Sequence, residues 1–212
     1  MRIIAGKYRR RKLHASPGDV TRPITDKVKE ILFERIEQEF PGSRVADVFS
    51  GTGSLGLEAL SRGARTVAFL ENDRQAYHLL QQNVATLGVE EDTLCWRVDV
   101  LRSSFRPKGV PRLLPYDVVF FDPPFRMVAD IRPSLPLYKS LERLARDGIT
   151  ADDALLLLRT HPQAEFQCPD AWVLDQTLSF RNMKIHMFDK RVIDTEVNDA
   201  EITDTEPKDD SA

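Results

Sequence analysis

Residues 45–56 read Val45-Ala-Asp47-Val-Phe49-Ser50-Gly51-Thr-Gly53-Ser-Leu-Gly56, a short apolar run that ends in glycines and passes directly into a helical pattern. Continuous apolar runs further on, Val118–Phe121 and Ala154–Leu158, are expected of strands covered on both faces of a parallel sheet, and Val45–Phe49, interrupted only by Asp47, reads as the first strand of the set. Glycines at its carboxyl end let the chain turn tightly and bring its backbone against a ligand. Working outward, the same pattern recurs. Strands are expected at Val45–Phe49, Thr66–Glu71, Thr93–Val98, Asp117–Phe121 and Ala154–Arg159, and helices at Leu55–Arg62, Arg74–Leu87 and Leu135–Arg146. Strand and helix in alternation specify a doubly wound α/β sheet. Beyond it, Trp172–Phe180 and Lys184–Phe188 flank Arg181-Asn182-Met183 and read as an antiparallel C-terminal hairpin. Upstream, Thr25 is an N-cap for a helix with Val28, Ile31, Leu32, Ile36 and Phe40 at helical spacing, stopped by Pro41-Gly42.

This divides the chain into a basic N-terminal arm and helix (residues 1–43), an α/β domain (44–188) and a tail (189–212). Met1–Ile4 is expected to form a short strand within the arm. The proline-rich segment Arg106–Pro115 reads as a loop. A length of 212 residues suits one domain with appendages. No apolar run approaches the roughly 18 to 20 residues that span a bilayer, and Met1–Leu13 has no signal-peptide pattern, which points to the cytoplasm. Cys95, Cys168 and four scattered histidines show no metal-ligand spacing, so no metal is expected. The net charge of −3 hides a segregation: nine acids against Lys190, Arg191 and Lys208 give residues 189–212 a charge of −6, leaving +3 for the rest. Such a tail cannot offset its own ordering entropy and is expected to be disordered. The positive charge concentrates in Arg2, Lys7, Arg9, Arg10, Arg11 and Lys12.

Ligands of open α/β sheets bind at the carboxyl ends of the strands. A glycine-rich turn could serve a phosphate-bearing dinucleotide, but there is no Gly-Lys-Ser/Thr of a P-loop, and Asp47 would repel a pyrophosphate. Asp47 would suit an ammonium group, such as that on the methionine end of S-adenosylmethionine, with Phe49, Ser50, Gly51 and Gly53 forming the turn around it. Glu71, followed by Asn72 at the end of the second strand, can accept both hydrogens of a ribose diol. Asp99-Val100 at the end of the third can hold an adenine amino group and ring face. Three acids at successive strand ends make a cofactor site.

The fourth strand delivers Asp122-Pro123-Pro124-Phe125. Two prolines fix φ and cannot continue a ladder, so the strand ends in a rigid corner with its carbonyls outward. An exocyclic amine on a nucleobase is a poor nucleophile because its lone pair is delocalised into the ring. The Asp122 carboxylate and a proline carbonyl can accept its two N–H hydrogens and point the lone pair at an electrophilic methyl group, with Phe125 offering a stacking face. The acceleration would come from positioning and preorganised electrostatics. A base must be unpaired or flipped out to reach such a corner, and Arg9, Arg10, Arg11 and Lys12 would neutralise phosphates around it.

These blocks resemble the bacterial small-subunit (16S) rRNA guanine-N2 methyltransferases, the RsmD family. The likeness lies in Met1-Arg-Ile-Ile-Ala-Gly-Lys-Tyr8, Arg11-Lys-Leu13, Thr21–Phe33, Asp47–Gly56, Leu57–Ala64, Glu71 with Asp73, and Asp122–Phe125. It implies a seven-stranded Rossmann-like class I methyltransferase fold, S-adenosylmethionine as donor and guanine N2 of small-subunit rRNA as acceptor. It further implies that the substrate is an assembly particle and that Arg22 and Thr25 line the mouth of the site. The chain departs from the family at Ile24, where threonine is common, at Arg10, where glycine is common, and in its acidic tail. A monomer is expected. The alternatives are a DNA adenine-N6 methyltransferase, a catalytically silent RNA-binding assembly factor and a small-molecule methyltransferase; the first is disfavoured because no segment is large enough for a DNA-recognition domain.

Overall fold

The computed structural model describes residues 1–15 and 24–191. Arg22 and the acidic segment beyond Arg191 lie outside these, as does the expectation of a disordered tail. Five strands run parallel: β1 (Arg44–Val48), β2 (Thr66–Glu71), β3 (Thr93–Arg97), β4 (Tyr116–Phe121) and β5 (Thr150–Thr160). With β6 (Trp172–Phe180) and β7 (Met183–Lys190) they make one seven-stranded sheet of order β3-β2-β1-β4-β5-β7-β6, in which β7 is antiparallel to both neighbours. Successive strand residues face opposite sides, and the core divides accordingly. Val67, Phe69, Val118 and Phe120 pack on one face, and Ala68, Leu70, Val119 and Phe121 on the other.

The first face is covered by α1 (Asp26–Arg35), α2 (Ser54–Ser61) and α3 (Arg74–Leu87), the second by α4 (Pro136–Leu144) and its flanking loops. Thr25 caps α1 by accepting from Val28 N–H at 3.3 Å, as its position predicts, and Asp73 caps α3 by accepting from Ala76 N–H at 2.8 Å. Gly88 ends α3 at φ +67°. The helix expected to run on to Phe40 stops at Arg35 and tightens into a 3-10 turn at Glu37–Glu39. Packing decides this: Phe40 stacks on Phe33 with centroids 5.0 Å apart. β5 begins earlier than its apolar run, because the exposed acids Asp152 and Asp153 sit at a register shift against β4 that turns them to solvent.

The basic arm is a hairpin seated on the domain. Arg2 and Lys12 form an antiparallel bridge, flanked by hydrogen bonds from Ile3 N–H to Arg11 O and Leu13 N–H to Met1 O, both 3.0 Å. Ile3 and Leu13 are buried in the same core as α1, α2 and α3. Ile4 and Ala5 donate their N–H groups to the Glu58 carboxylate at 2.8 and 3.0 Å, and Lys7 N–H reaches Ser61 O at 2.7 Å. Among the described residues no helix is long and apolar enough to cross a membrane.

Candidate active site

The strand order reverses direction between β1 and β4, which opens a crevice at their carboxyl ends. The Asp122 N–H donates to Val48 O at 3.1 Å, so the diproline corner is bonded to the strand that enters the glycine turn. Phe49 and Phe121 meet edge to face with centroids 5.5 Å apart. Phe49 itself stands at φ +63°, a region that disfavours bulky residues. It is held there because Ser50 N–H reaches Leu70 O at 3.2 Å and Gly53 N–H reaches Ser50 O at 2.8 Å.

Gly51, Gly53 and Gly56 stand at Gly-x-Gly-x-x-Gly spacing, so glycine spacing does not distinguish this turn from a dinucleotide site. They fall into two kinds. A Cβ on Gly53 would come within 2.5 Å of Leu80 Cδ1, and one on Gly56 within 2.4 Å of Phe69 Cε1, so both are fixed by core packing. A Cβ on Gly51, at φ +56°, would meet nothing within 4 Å among the described residues. The Gly51 N–H donates to Glu71 Oε2 at 2.7 Å, while Asn72 and Asp73 N–H groups hold Oε1 at 2.8 and 2.7 Å. Glu71 is therefore locked in place at the end of β2, and burial still pushes its pKa up against these three donors. Beside it the Ser50 hydroxyl is buried without a hydrogen-bond partner among the described residues. Asp99 accepts from Leu101 N–H at 3.0 Å and remains half-exposed at the end of β3, and Val100 is buried, its carbonyl taking the Ser140 hydroxyl at 3.1 Å. An unsatisfied hydroxyl, an open glycine and two oriented carboxylates fit an adenosyl ligand with a free ribose diol.

Asp47 lies deeper than the open face of the turn. It is 1% exposed and accepts from Gly56 N–H at 2.9 Å, in the first half of α2. Burial raises its pKa well above the ordinary carboxylate value, with the Gly56 bond opposing and the negative fields of Asp122 and Glu71 adding. The raised pKa fixes the sign of its linkage. Its contribution is fully present below the unfolded carboxylate pKa and is lost as pH rises through the folded value. Asp47→Asn keeps an oxygen for Gly56 and removes the buried charge. It is expected to raise the melting temperature of the ligand-free protein by a few degrees at pH 8, and to leave it unchanged near pH 4. A lower melting temperature at pH 8 would contradict this.

At the corner, Pro123 is buried and Pro124 half-buried; the Pro124 carbonyl accepts from Met127 N–H at 2.7 Å and starts a 3-10 turn at Phe125–Asp130. The Asp122 side chain is 16% exposed, and Arg159 Nε donates to its Oδ1 at 2.7 Å. Burial raises the Asp122 pKa, opposed by Arg159. The Arg159 guanidinium also lies 5.5 Å from the Phe125 ring centroid, and His161 meets that ring edge-on at 6.3 Å. Neither Arg159 nor His161 is among the sequence candidates. The available signal was a charged residue ending the apolar run Ala154–Leu158 at the edge that carries Asp122.

The proposed substrate contacts are spread more widely. Arg9, Arg10 and Lys12 are exposed on the hairpin, and Arg10 occupies φ +67°. Arg11 is anchored, donating to Thr86 O at 2.6 Å. Thr25 is exposed and bonded to Val28 as the cap of α1, while its neighbour Ile24 lines a small recess with Asp122 and Arg159. Among the described residues there is no group of three or more His, Cys, Asp or Glu side chains that could hold a metal ion.

Residues 1–188 match the model of a family described as conserved hypothetical protein 95. The chain is 33% identical over 180 residues to the ribosomal RNA small subunit methyltransferase D of Haemophilus influenzae, covering 82% of this chain and 86% of that protein. The solved structure of Escherichia coli yhhF superposes with a TM-score of 0.73 at 29% identity, over 91% of this chain and 98% of that one. An RNA methyltransferase from Salinibacter ruber, solved with S-adenosyl-L-homocysteine, shares the fold with a TM-score of 0.57 at 12% identity, over 80% and 94% of the two chains.

Proposed function

Since this chain belongs to the conserved hypothetical protein 95 family, the RsmD family of RNA methyltransferases, we propose that it methylates the exocyclic N2 of a guanine in small-subunit ribosomal RNA, with S-adenosylmethionine as donor. The observation that carries this reading is the Asp122 N–H bond to Val48 O, which sets the aspartate–diproline corner against the glycine turn.

S-adenosylmethionine, when bound, supplies an electrophilic sulfonium methyl group. Ser50, Gly51, Glu71 with the adjacent Asn72 N–H, Asp99 and Val100 would hold it, with Phe49 at the turn. The buried charge of Asp47 lies beneath, where a cation above the turn would favour its ionised form. Asp122 would accept one amine N–H through Oδ2, since Oδ1 is bonded to Arg159. The Pro124 carbonyl is engaged by Met127, so Pro123 is the carbonyl assigned to the second N–H. Held at both hydrogens, the nitrogen is pyramidal and its lone pair is directed away from the ring. Phe125 would face the base. The protein's work is orientation, desolvation and charge placement.

The substrate is proposed to be a small-subunit assembly particle in the cytoplasm, met by a monomer of this chain through the hairpin and, by family likeness, Arg22 and Thr25. Transfer of labelled methyl groups to small-subunit particles from cells lacking the protein, followed by mass mapping of the RNA, tests this. Labelling of duplex DNA adenine instead of the particle would overturn it.

The hairpin makes a separate prediction. Arg9→Gln with Arg10→Gly removes two exposed charges, and glycine relieves the left-handed backbone at position 10. The double variant is expected to keep its melting temperature, to bind RNA more weakly, and to flatten the plot of log affinity against log salt by about one to two units. An unchanged slope would remove these residues from the RNA surface.

A further inference from the structure

We propose that Arg159 is a positioning residue for Asp122, fixing the orientation of its carboxylate, supplying its countercharge and bracing the Phe125 ring beside it. The register pairs Phe121 of β4 with Leu158 of β5, so Asp122 and Arg159 each stand one residue beyond the last rung, at the carboxyl edge of the sheet. Their side chains are 16% and 12% exposed and joined at 2.7 Å. The recess they share is otherwise lined by Ile24, Leu32, Leu55, Phe120, Leu157 and Ile185. In such a setting an acid is driven toward its protonated form unless a cation stands beside it.

A protonated Asp122 would present a donor where the amine needs an acceptor. Among the described residues the acids that bear on this corner are Asp47 on β1, which interacts with Asp122, and Glu71 of β2, which interacts with Asp47. On the far side, Lys184 of β7 stands opposite Thr160, and His161 meets the Phe125 ring. Arg159 supplies its positive charge directly on Oδ1, leaving Oδ2 for the amine. Its planar guanidinium, 5.5 Å from the Phe125 centroid, ties the carboxylate and the stacking face into one unit. Lysine would carry the charge without that geometry.

The consequence for catalysis rests on the reading of Asp122 as the group that holds the amine, but the hold on Asp122 does not. The test is a pH titration of the free protein labelled with carbon-13 at the aspartate carboxyl carbons, the Asp122 signal being identified by its loss in Asp122→Asn. In Arg159→Gln the Asp122 midpoint is expected to move up by at least about one pH unit, and in Arg159→Lys to return toward wild type. Methyl transfer by Arg159→Lys should remain about tenfold or more below wild type, from lost orientation, with adenosylhomocysteine affinity unchanged. An Asp122 midpoint that does not move in folded Arg159→Gln overturns the proposal. If that variant does not fold, full activity in Arg159→Lys overturns it instead. A moved midpoint in a protein that methylates no nucleic acid supports the Arg159–Asp122 unit and rejects the proposed function.

Discussion

Asp122→Ala is expected to reduce methyl transfer to small-subunit particles by about 10²- to 10³-fold or more, while adenosylhomocysteine binds nearly as well as to wild type. The separation of the two effects follows from the geometry. Asp122 sits at the end of β4, and the groups assigned to the adenosyl ligand sit at the ends of β1, β2 and β3. Alanine also removes the acceptor of the Arg159 Nε hydrogen bond at the edge of a mostly apolar recess, so some loss of stability will accompany it. Asp122→Asn separates these contributions. Its amide oxygen can still accept from Arg159, but its nitrogen cannot accept from an amine. Asp122→Asn should therefore melt closer to wild type than the alanine variant does and remain as inactive. Equal loss of ligand binding and transfer in both variants would contradict the role given to Asp122.

Glu58→Ala is expected to cost about 3 to 5 kcal/mol of folding stability. Glu58 is fully buried, between Lys29 at 3.1 Å and Arg62 at 3.1 Å, which are themselves 1% and 4% exposed. It also accepts the Ile4 and Ala5 N–H groups. Removing it leaves Lys29 buried without its anion, takes from Arg62 the nearer of its two carboxylates, and leaves two backbone donors without that acceptor, and burial already lowers the Lys29 pKa. Urea unfolding should show a lower midpoint with an unchanged slope. Glu58→Gln, which keeps the acceptor oxygen and loses the charge, should fall between. A midpoint shift worth under about 1 kcal/mol in the alanine variant would show that the cluster does not hold the hairpin.

The parts of this architecture that were legible in the sequence are those governed by local chemistry. The bounds expected for Thr66–Glu71, Arg74–Leu87 and Trp172–Phe180 from the alternating strand and helix pattern are reproduced by the structure. Asp122-Pro-Pro-Phe125 marks the end of a strand because prolines cannot extend a ladder, and it lies where the α/β order requires. What was hidden depends on contacts across the chain. Arg159 is 37 residues from Asp122, and only the β4–β5 register joins them. Asp47 reads as a free carboxylate beside a turn, but the first half of α2 takes it at Gly56. Arg11 reads as one of a run of exposed cations and is exposed, but its guanidinium is tied to Thr86 O, 75 residues away. A charge in a sequence does not say which way it faces.

Asn83, on α3, is fully buried. Its amide oxygen takes His14 N–H at 2.7 Å, and its nitrogen donates to His14 O at 3.1 Å and to Thr52 O at 2.9 Å. One side chain thus rivets the trailing end of the basic hairpin to the glycine turn. The hairpin's cations and the donor pocket then keep a constant offset, as a fence does from a blade. On the proposed function, a nucleotide would be chosen by how far it lies along the RNA from the phosphates that the hairpin grips. Selection would be by measured reach, with the letters between left unread.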